Sequence, residues 1–291
     1  MLIAGPTASG KSALALDHAR RLGGVVVNTD SMQVYDVLRL LTARPDADDC
    51  AAVPHLLYGH VAPSVAYSTG AWLRDVERLA GEGAFDGRPA VFVGGTGLYF
   101  KALLGGLSQM PAIPEAIRTR LRARLDEDGA AALHAELARS DPKSAARIGP
   151  ADGQRIVRAL EVLEATGQPI GHWQAQRGTA LVDSASATKL IVEPDRAVLA
   201  GRIEHRLRAM VEAGALDEVR ALRALKLDPA LPAMKAIGVE AFSRHLDGEI
   251  DLESAILLAA AQTRQYAKRQ GTWFRGQVES DWIRTTPETE P

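Results

Sequence analysis

Two hydrophobic periods share this chain. Met1-Leu2-Ile3-Ala4, Val25-Val26-Val27 and Ala90-Val91-Phe92-Val93 are short continuous apolar runs, whereas Lys11–Leu22, Gly70–Leu79 and Gly97–Leu104 carry apolar residues at helical spacing. Short buried runs alternating with helical segments predict a parallel sheet with helices on both faces. The pattern changes near Met110-Pro111-Ala112-Ile113-Pro114. From there to about Ser186 no strand is predicted. Glu115–Asp126 reads as a charged helix and Asp152–Thr166 as another, with Asp152 as N-cap and Gly167 at the stop. Asp183-Ser184-Ala185-Ser186-Ala187 is linker-like. Leu190-Ile191-Val192 resumes strand character, and helices are expected at Arg196–Ala213 and Glu253–Arg269. The expected organisation is an α/β core, residues 1–109 and 187–291, interrupted by an all-helical insertion over 110–186.

The first turn carries chemistry. Gly5-Pro6-Thr7-Ala8-Ser9-Gly10-Lys11-Ser12 fits G-x-x-x-x-G-K-S/T and lies between a predicted strand and a predicted helix, as that motif requires. Glycines let the backbone curl its N–H groups inward, and the helix N-terminus adds partial positive charge. Lys11 supplies a full charge, and the Ser12 hydroxyl can ligate Mg²⁺. The fold class is therefore a P-loop α/β core with a helical insertion, and a phosphorylated ligand is expected at residues 5–12. A nucleotide kinase would normally hold its metal with an acid ending a later strand. Here Val91-Phe92-Val93 runs into Gly94-Gly95-Thr96, with no acid. Asp30, behind Val25-Val26-Val27-Asn28-Thr29, is the acid that follows a buried strand; it suits either a magnesium-side carboxylate or a base facing a substrate.

Composition adds limits. Of 291 residues 46% are hydrophobic and 24% charged, which fits a folded protein rather than a disordered one. The single cysteine, Cys50, can form neither an intramolecular disulfide nor a thiolate zinc cage, so a reducing, cytoplasmic location is expected. The longest apolar stretch, Ala255 to Ala261, is far short of the roughly 18 residues of a membrane span, and no secretory signal is visible. A net charge of −2 rules out a uniformly basic surface but not local basic tracks. His55 and His60 lack a paired acid or thiol and read as ordinary histidines rather than metal ligands.

Read together, the phosphate loop, Asp30-Ser31-Met32-Gln33-Val34-Tyr35 and Gly94-Gly95-Thr96-Gly97-Leu98-Tyr99 resemble the tRNA dimethylallyltransferase (tRNA isopentenyltransferase) family. Further matches follow in order: Asp141-Pro142 with Ala145, Arg147 and Ile148; Asp152 with Gln154 through Val162; Ala236-Ile237-Gly238; and Thr263 through Gln270 with Thr272 through Arg275. The likeness covers essentially the whole chain. It departs at Met32, where the family often has Arg, and at Arg39-Leu40-Leu41-Thr42-Ala43-Arg44-Pro45, where Leu41 replaces a glycine.

The resemblance implies transfer of a dimethylallyl group from its diphosphate to the N6 amine of the tRNA adenosine 3′ of the anticodon. It implies Asp30, Lys11 and Thr7 as catalytic residues, Asp30 being the base, with residues 5–12 on the diphosphate and Mg²⁺ on Ser12. Gln33 can donate to and accept from a purine edge. Contact with tRNA is expected from Asp30, Ser31, Met32, Gln33, Thr96, Arg118, Gln154, Arg155, Ile156, Val157, Arg158, Arg264, Lys268 and Arg269. Arg118, Arg120, Arg122 and Arg124 spread over a broad helix face, a pattern that also suits plain solvated surface. A monomer without membrane attachment is expected. Two other readings stay open on the residues alone: a P-loop small-molecule kinase using ATP, and a nucleotide-binding switch without catalysis.

Overall fold

The computed structural model describes residues 1–108, 110–176 and 178–286. The chain divides into two compact units, Met1–Leu104 with Leu181–Pro291, and Gly105–Ala180.

The first unit is built on one sheet. Its strands are β1 (Leu2–Ala4), β2 (Val25–Asn28), β3 (His55–Leu56), β4 (Ala90–Gly94), β5 (Lys189–Val192) and β6 (Ile283–Thr285). They pair in the order β3-β2-β4-β1-β5-β6, every pair parallel. Successive strand side chains point to opposite faces. Ile3, Val26, Val91 and Val93 pack with Ala15 and Ala19 of helix α1 (Lys11–Leu22). Their neighbours Leu2, Val25, Val27 and Phe92 are buried as well. Both faces are therefore covered, which is why these strands read as unbroken apolar runs.

Helices α2 (Ala47–Ala52), α3 (Thr69–Gly81) and α4 (Gly97–Gly105) follow in the amino-terminal part. The second unit holds α5 (Glu115–Ser140), α6 (Pro142–Ala145), α7 (Gly153–Thr166) and α8 (Ile170–Gln174) around Leu121, Leu133, Leu137, Ile156 and Leu160, and its described residues contain no strand. Helix α5 outruns its sequence-based limit at Asp126. It breaks at Gly129 (φ 80, ψ 164), the one residue type that enters this conformation without strain, and then resumes. Helix α7 has Asp152 as N-cap, accepting from Arg155 N at 3.2 Å, and left-handed Gly167 as C-cap.

Carboxy-terminal to β5, helices α9 (Arg196–Glu212), α10 (Ala215–Ala224), α11 (Val239–Leu246) and α12 (Leu252–Gln277) pack together around Ile203, Leu207, Val219, Phe242 and Ala259. Ala8 of the phosphate loop and Leu40, Leu41 and Ala43 rest on this cluster. Leu41 thus has a packing role in place of glycine's freedom, and the left-handed residue of its loop is Ala43, at φ 53. Among the described residues no helix is long and apolar enough to cross a membrane.

Candidate active site

β1 ends at Ala4 and α1 begins at Lys11, so six residues must turn the chain from sheet to helix. Gly5 is required by space, since a Cβ there would sit 2.6 Å from the Val192 carbonyl oxygen and 2.8 Å from Ser9 Oγ. The curl itself is made by Gly10 at φ 92 and Ala8 at φ 63. One of the two left-handed positions is therefore an alanine, in a conformation that costs about 1 kcal/mol or more. Left-handed residues set between right-handed ones turn successive amides to one side, the geometry of an anion nest. Ser9 N donates to Pro6 O at 3.2 Å, and Lys11 Nζ donates to the same carbonyl at 3.1 Å. The N-cap, Gly10, has no side chain to cap α1, and Lys11 N alone reaches a side chain, Ser9 Oγ at 3.4 Å, which leaves the following first-turn amides for a ligand.

The loop opens on a cavity of about 970 Å³. Thr7 to Ser12 form one wall, Asp30, Gln33, Thr42 and Ala43 another, and Arg202 and Arg206 of α9 a third. Burial lowers the Lys11 ammonium to about 8, Asp30 pulls it up and Arg206 pushes it down again. Burial also lowers Arg206, with Asp30 opposing. The phenols of Tyr58, Tyr99 and Tyr266 are raised by burial first and then by the charge of Asp30, which keeps them neutral. The cavity therefore sets a concentrated positive wall against the carboxylate of Asp30, while Asp17, also on its lining, is paired with Arg21.

The carboxylate is held firmly. Asn28, wholly buried at the end of β2, accepts from Asp30 N at 2.8 Å and donates to Asp30 O at 3.0 Å and Leu57 O at 2.9 Å. Asp30 Oδ1 accepts from Met32 N at 2.9 Å, an Asx turn that leaves Oδ2 for other partners. Ser31 N donates to Thr96 Oγ1 at 3.0 Å, and that hydroxyl donates on to Ser31 Oγ at 3.3 Å. Gln33 Nε2 donates to Thr42 O and Ala43 O, at 2.8 and 2.9 Å. Both amide hydrogens of Gln33 are thus spent on the protein. The expectation that it also donates to a purine is corrected, and its acceptor oxygen remains.

Comparison with known proteins agrees with this arrangement. The IPP transferase family model matches residues 33–277. A tRNA dimethylallyltransferase of Rhizobium meliloti (strain 1021) is 58% identical over 284 residues, 98% of this chain and 94% of that protein. One from Mesorhizobium japonicum is 59% identical over 99% of this chain and 89% of its own length. This chain belongs to the tRNA dimethylallyltransferase family. Among solved structures, the tRNA isopentenylpyrophosphate transferase of Bacillus halodurans superposes with a TM-score of 0.67 at 34% identity, covering 98% of this chain and 88% of that one. A eukaryotic dimethylallyltransferase crystallised acting on tRNA gives 0.80 at 25% identity, covering 99% and 74%. The chain is a tRNA prenyltransferase, and neither the kinase nor the switch reading is favoured by any of these likenesses.

Within this family member the residues expected on RNA fall into distinct groups. Ile156 and Val157 are buried in the second unit's core, so their side chains are withdrawn from RNA; at helical spacing they belong to the inward stripe, and Gln154 and Arg155 are the exposed positions beside them. Arg155 pairs with Asp152 at 3.3 Å, Arg158 with Glu161 at 3.1 Å and Arg118 with Glu115 at 3.7 Å. Arg120 is tied to Glu164, and Arg124 to Asp128 and Glu136. On α12, Arg264, Lys268 and Arg269 are exposed, with Arg269 over the Tyr266 ring at 5.6 Å. Arg269 also lines a second cavity of about 430 Å³ with Lys235, Gln262 and Gln265.

Sequence reasoning missed two side chains of the first cavity's surroundings. Arg206 Nη2 donates to Thr7 Oγ1 at 2.7 Å. Gln270 Oε1 accepts from Thr7 N at 2.9 Å, so this loop amide is satisfied by protein and the amide share of the phosphate cradle starts after it. A signal existed for each: Arg206 interrupts the stripe of Ile203, Leu207 and Met210, and Gln270 that of Thr263, Ala267 and Phe274.

Proposed function

We propose that this enzyme takes the dimethylallyl group from dimethylallyl diphosphate and places it on N6 of the adenosine 3′ of the anticodon. One observation carries the reading: Lys11, Arg206 and Asp30 line a single cavity at the phosphate loop. Lys11, Arg206, the Thr7 hydroxyl and the loop amides bind the diphosphate and stabilise the charge that collects on it as the allylic carbon–oxygen bond breaks. The new bond forms between N6 and that carbon, diphosphate departs, and one N6 proton must leave. Asp30 accepts it through Oδ2. A weak base suffices, because the amine becomes strongly acidic as it is alkylated.

Magnesium fits the donors present. Ser12 is exposed at the cavity wall with a hard oxygen ligand, and diphosphate oxygens would complete the set in the manner usual for this ion. When bound, the ion would add positive charge beside the leaving group. Among the described residues no cluster of three His, Cys, Asp or Glu forms a separate cage.

The target base must leave its stack, at a cost of a few kcal/mol that enclosure in a fitted pocket offsets. Gln33 Oε1 can accept from its edge, while Ser31 and Thr96 fix the loop behind it. Arg264, Lys268 and Arg269 would meet phosphates, positioning the RNA without reading its sequence. With tRNA as substrate, the cytoplasm is the expected place of action. Purified protein, unmodified tRNA and an allylic diphosphate labelled in its hydrocarbon would test the reading. Nuclease digestion should find the label on the adenosine 3′ of the anticodon; label on another nucleoside, or none on RNA, would refute it.

A further inference from the structure

Gln270 is a buried amide on α12, 5% exposed. Apolar side chains would fill that place without the cost of burying a polar group, so its hydrogen bonds are its justification. Oε1 accepts from Thr7 N at 2.9 Å and Nε2 donates to Gly95 O at 3.0 Å. A backbone N–H can only donate and a carbonyl can only accept, so the amide has one possible orientation.

The two partners lie on different loops. Thr7 belongs to the phosphate loop after β1, and Gly95 follows β4, the neighbouring strand. Gly95 leads into Thr96, whose N–H donates to Thr29 O at 3.1 Å and whose hydroxyl accepts from Ser31 N. A continuous chain of contacts therefore runs from the donor cradle through Gln270 to the backbone on both sides of Asp30. Gly95 accommodates the amide closely, because a Cβ there would overlap Gln270 Nε2.

We propose that Gln270 is a positioning residue that fixes the separation between the diphosphate cradle and the Asp30 segment. The proposal rests on the prenyl-transfer reading above. Gln270 touches neither substrate in this scheme; its loss would misplace two reacting groups relative to each other while each binding surface stays whole. The expected signature is a fall in kcat with little change in either KM.

Gln270→Glu supplies the sharper test. Its ionised carboxylate still accepts from Thr7 N but has no hydrogen for Gly95 O, whereas the protonated acid reproduces both bonds. Burial beside a carbonyl oxygen favours that protonated form and raises its pKa. At about pH 8 kcat should fall roughly ten- to hundredfold, the scale of a misplaced reacting group, with donor and tRNA KM changed less than about threefold. The ratio of variant to wild-type kcat should climb as pH is lowered to about 6, and taking the ratio removes any pH dependence common to both. Gln270→Leu should be slow at every pH. Wild-type kcat in the glutamate variant, a ratio flat with pH, or a loss confined to KM would overturn the proposal. Should Gln270→Leu fail to fold, the glutamate ratio decides alone. A wild-type enzyme that transfers no prenyl group would instead overturn the reading of the reaction, and this proposal with it.

Discussion

Arg206 and Thr7 stand 199 residues apart in the chain, yet Arg206 Nη2 donates to the Thr7 hydroxyl at 2.7 Å while its buried Nε has no partner among the described residues. A guanidinium held this way offers unspent donor capacity to an anion in the phosphate loop. Orphaned buried donors are costly, so the arrangement suits a site completed by ligand.

Arg206→Ala should raise the donor KM at least tenfold, in line with about 1.5–3 kcal/mol for a hydrogen bond to a charged group. Affinity for tRNA should change little. Steady-state kinetics with each substrate varied in turn, together with tRNA filter binding, measures both.

Lys11 should make donor binding pH-dependent. Burial, with Arg206 nearby, holds its ammonium down to about 8 against the pull of Asp30. The charged form predominates below that value and is the one proposed to bind diphosphate; above it the site loses a positive charge. Donor affinity should therefore be nearly constant toward pH 6.5 or so and weaken as pH rises through about 8. Lys11→Ala should bind weakly at all pH values and lose this dependence, as titration calorimetry would show.

Asp30→Asn separates holding from proton acceptance. The asparagine oxygen can still accept from Met32 N, preserving the turn, but it cannot take a proton from the adenine amine. Turnover should drop by about 10²–10⁴-fold, the range for a lost general base. Binding of tRNA in a gel-shift titration should be unchanged. Unaltered turnover would remove Asp30 from the reaction.

Asp152→Ala tests the second unit. Removing the bond from Arg155 N to the cap oxygen should cost about 1 kcal/mol of helix stability. Chemical denaturation would reveal it as a lower midpoint, with donor KM untouched.

Much of this site is local in the chain and so legible there. The phosphate loop is eight consecutive residues, and Asp30 directly follows a strand whose valines announce it. Arg206 and Gln270 were not singled out because each acts through a tertiary contact: Arg206 showed only as a charge on an otherwise apolar stripe, and Gln270 only as the last residue of the matched Thr263–Gln270 run. Ile156 and Val157 went the other way: the motif named them together with their exposed neighbours, although helical spacing turns them inward. β3 is only two residues long, and β6 is an edge strand with exposed Ile283 and Arg284, so neither makes the buried apolar run by which the other strands were read. The helix expected over Glu115–Asp126 runs on to Ser140, with Gly129 a break within it.

The central claim is that the amino-terminal loop, completed by Arg206, holds the diphosphate of the prenyl donor. Calorimetric titration of an unreactive dimethylallyl diphosphate analogue into wild type and into the Lys11→Ala/Arg206→Ala double variant tests it directly. Saturable one-to-one binding in the wild type, lowered at least a hundredfold in the variant, is the predicted result. Equal affinity in the two proteins would contradict the claim.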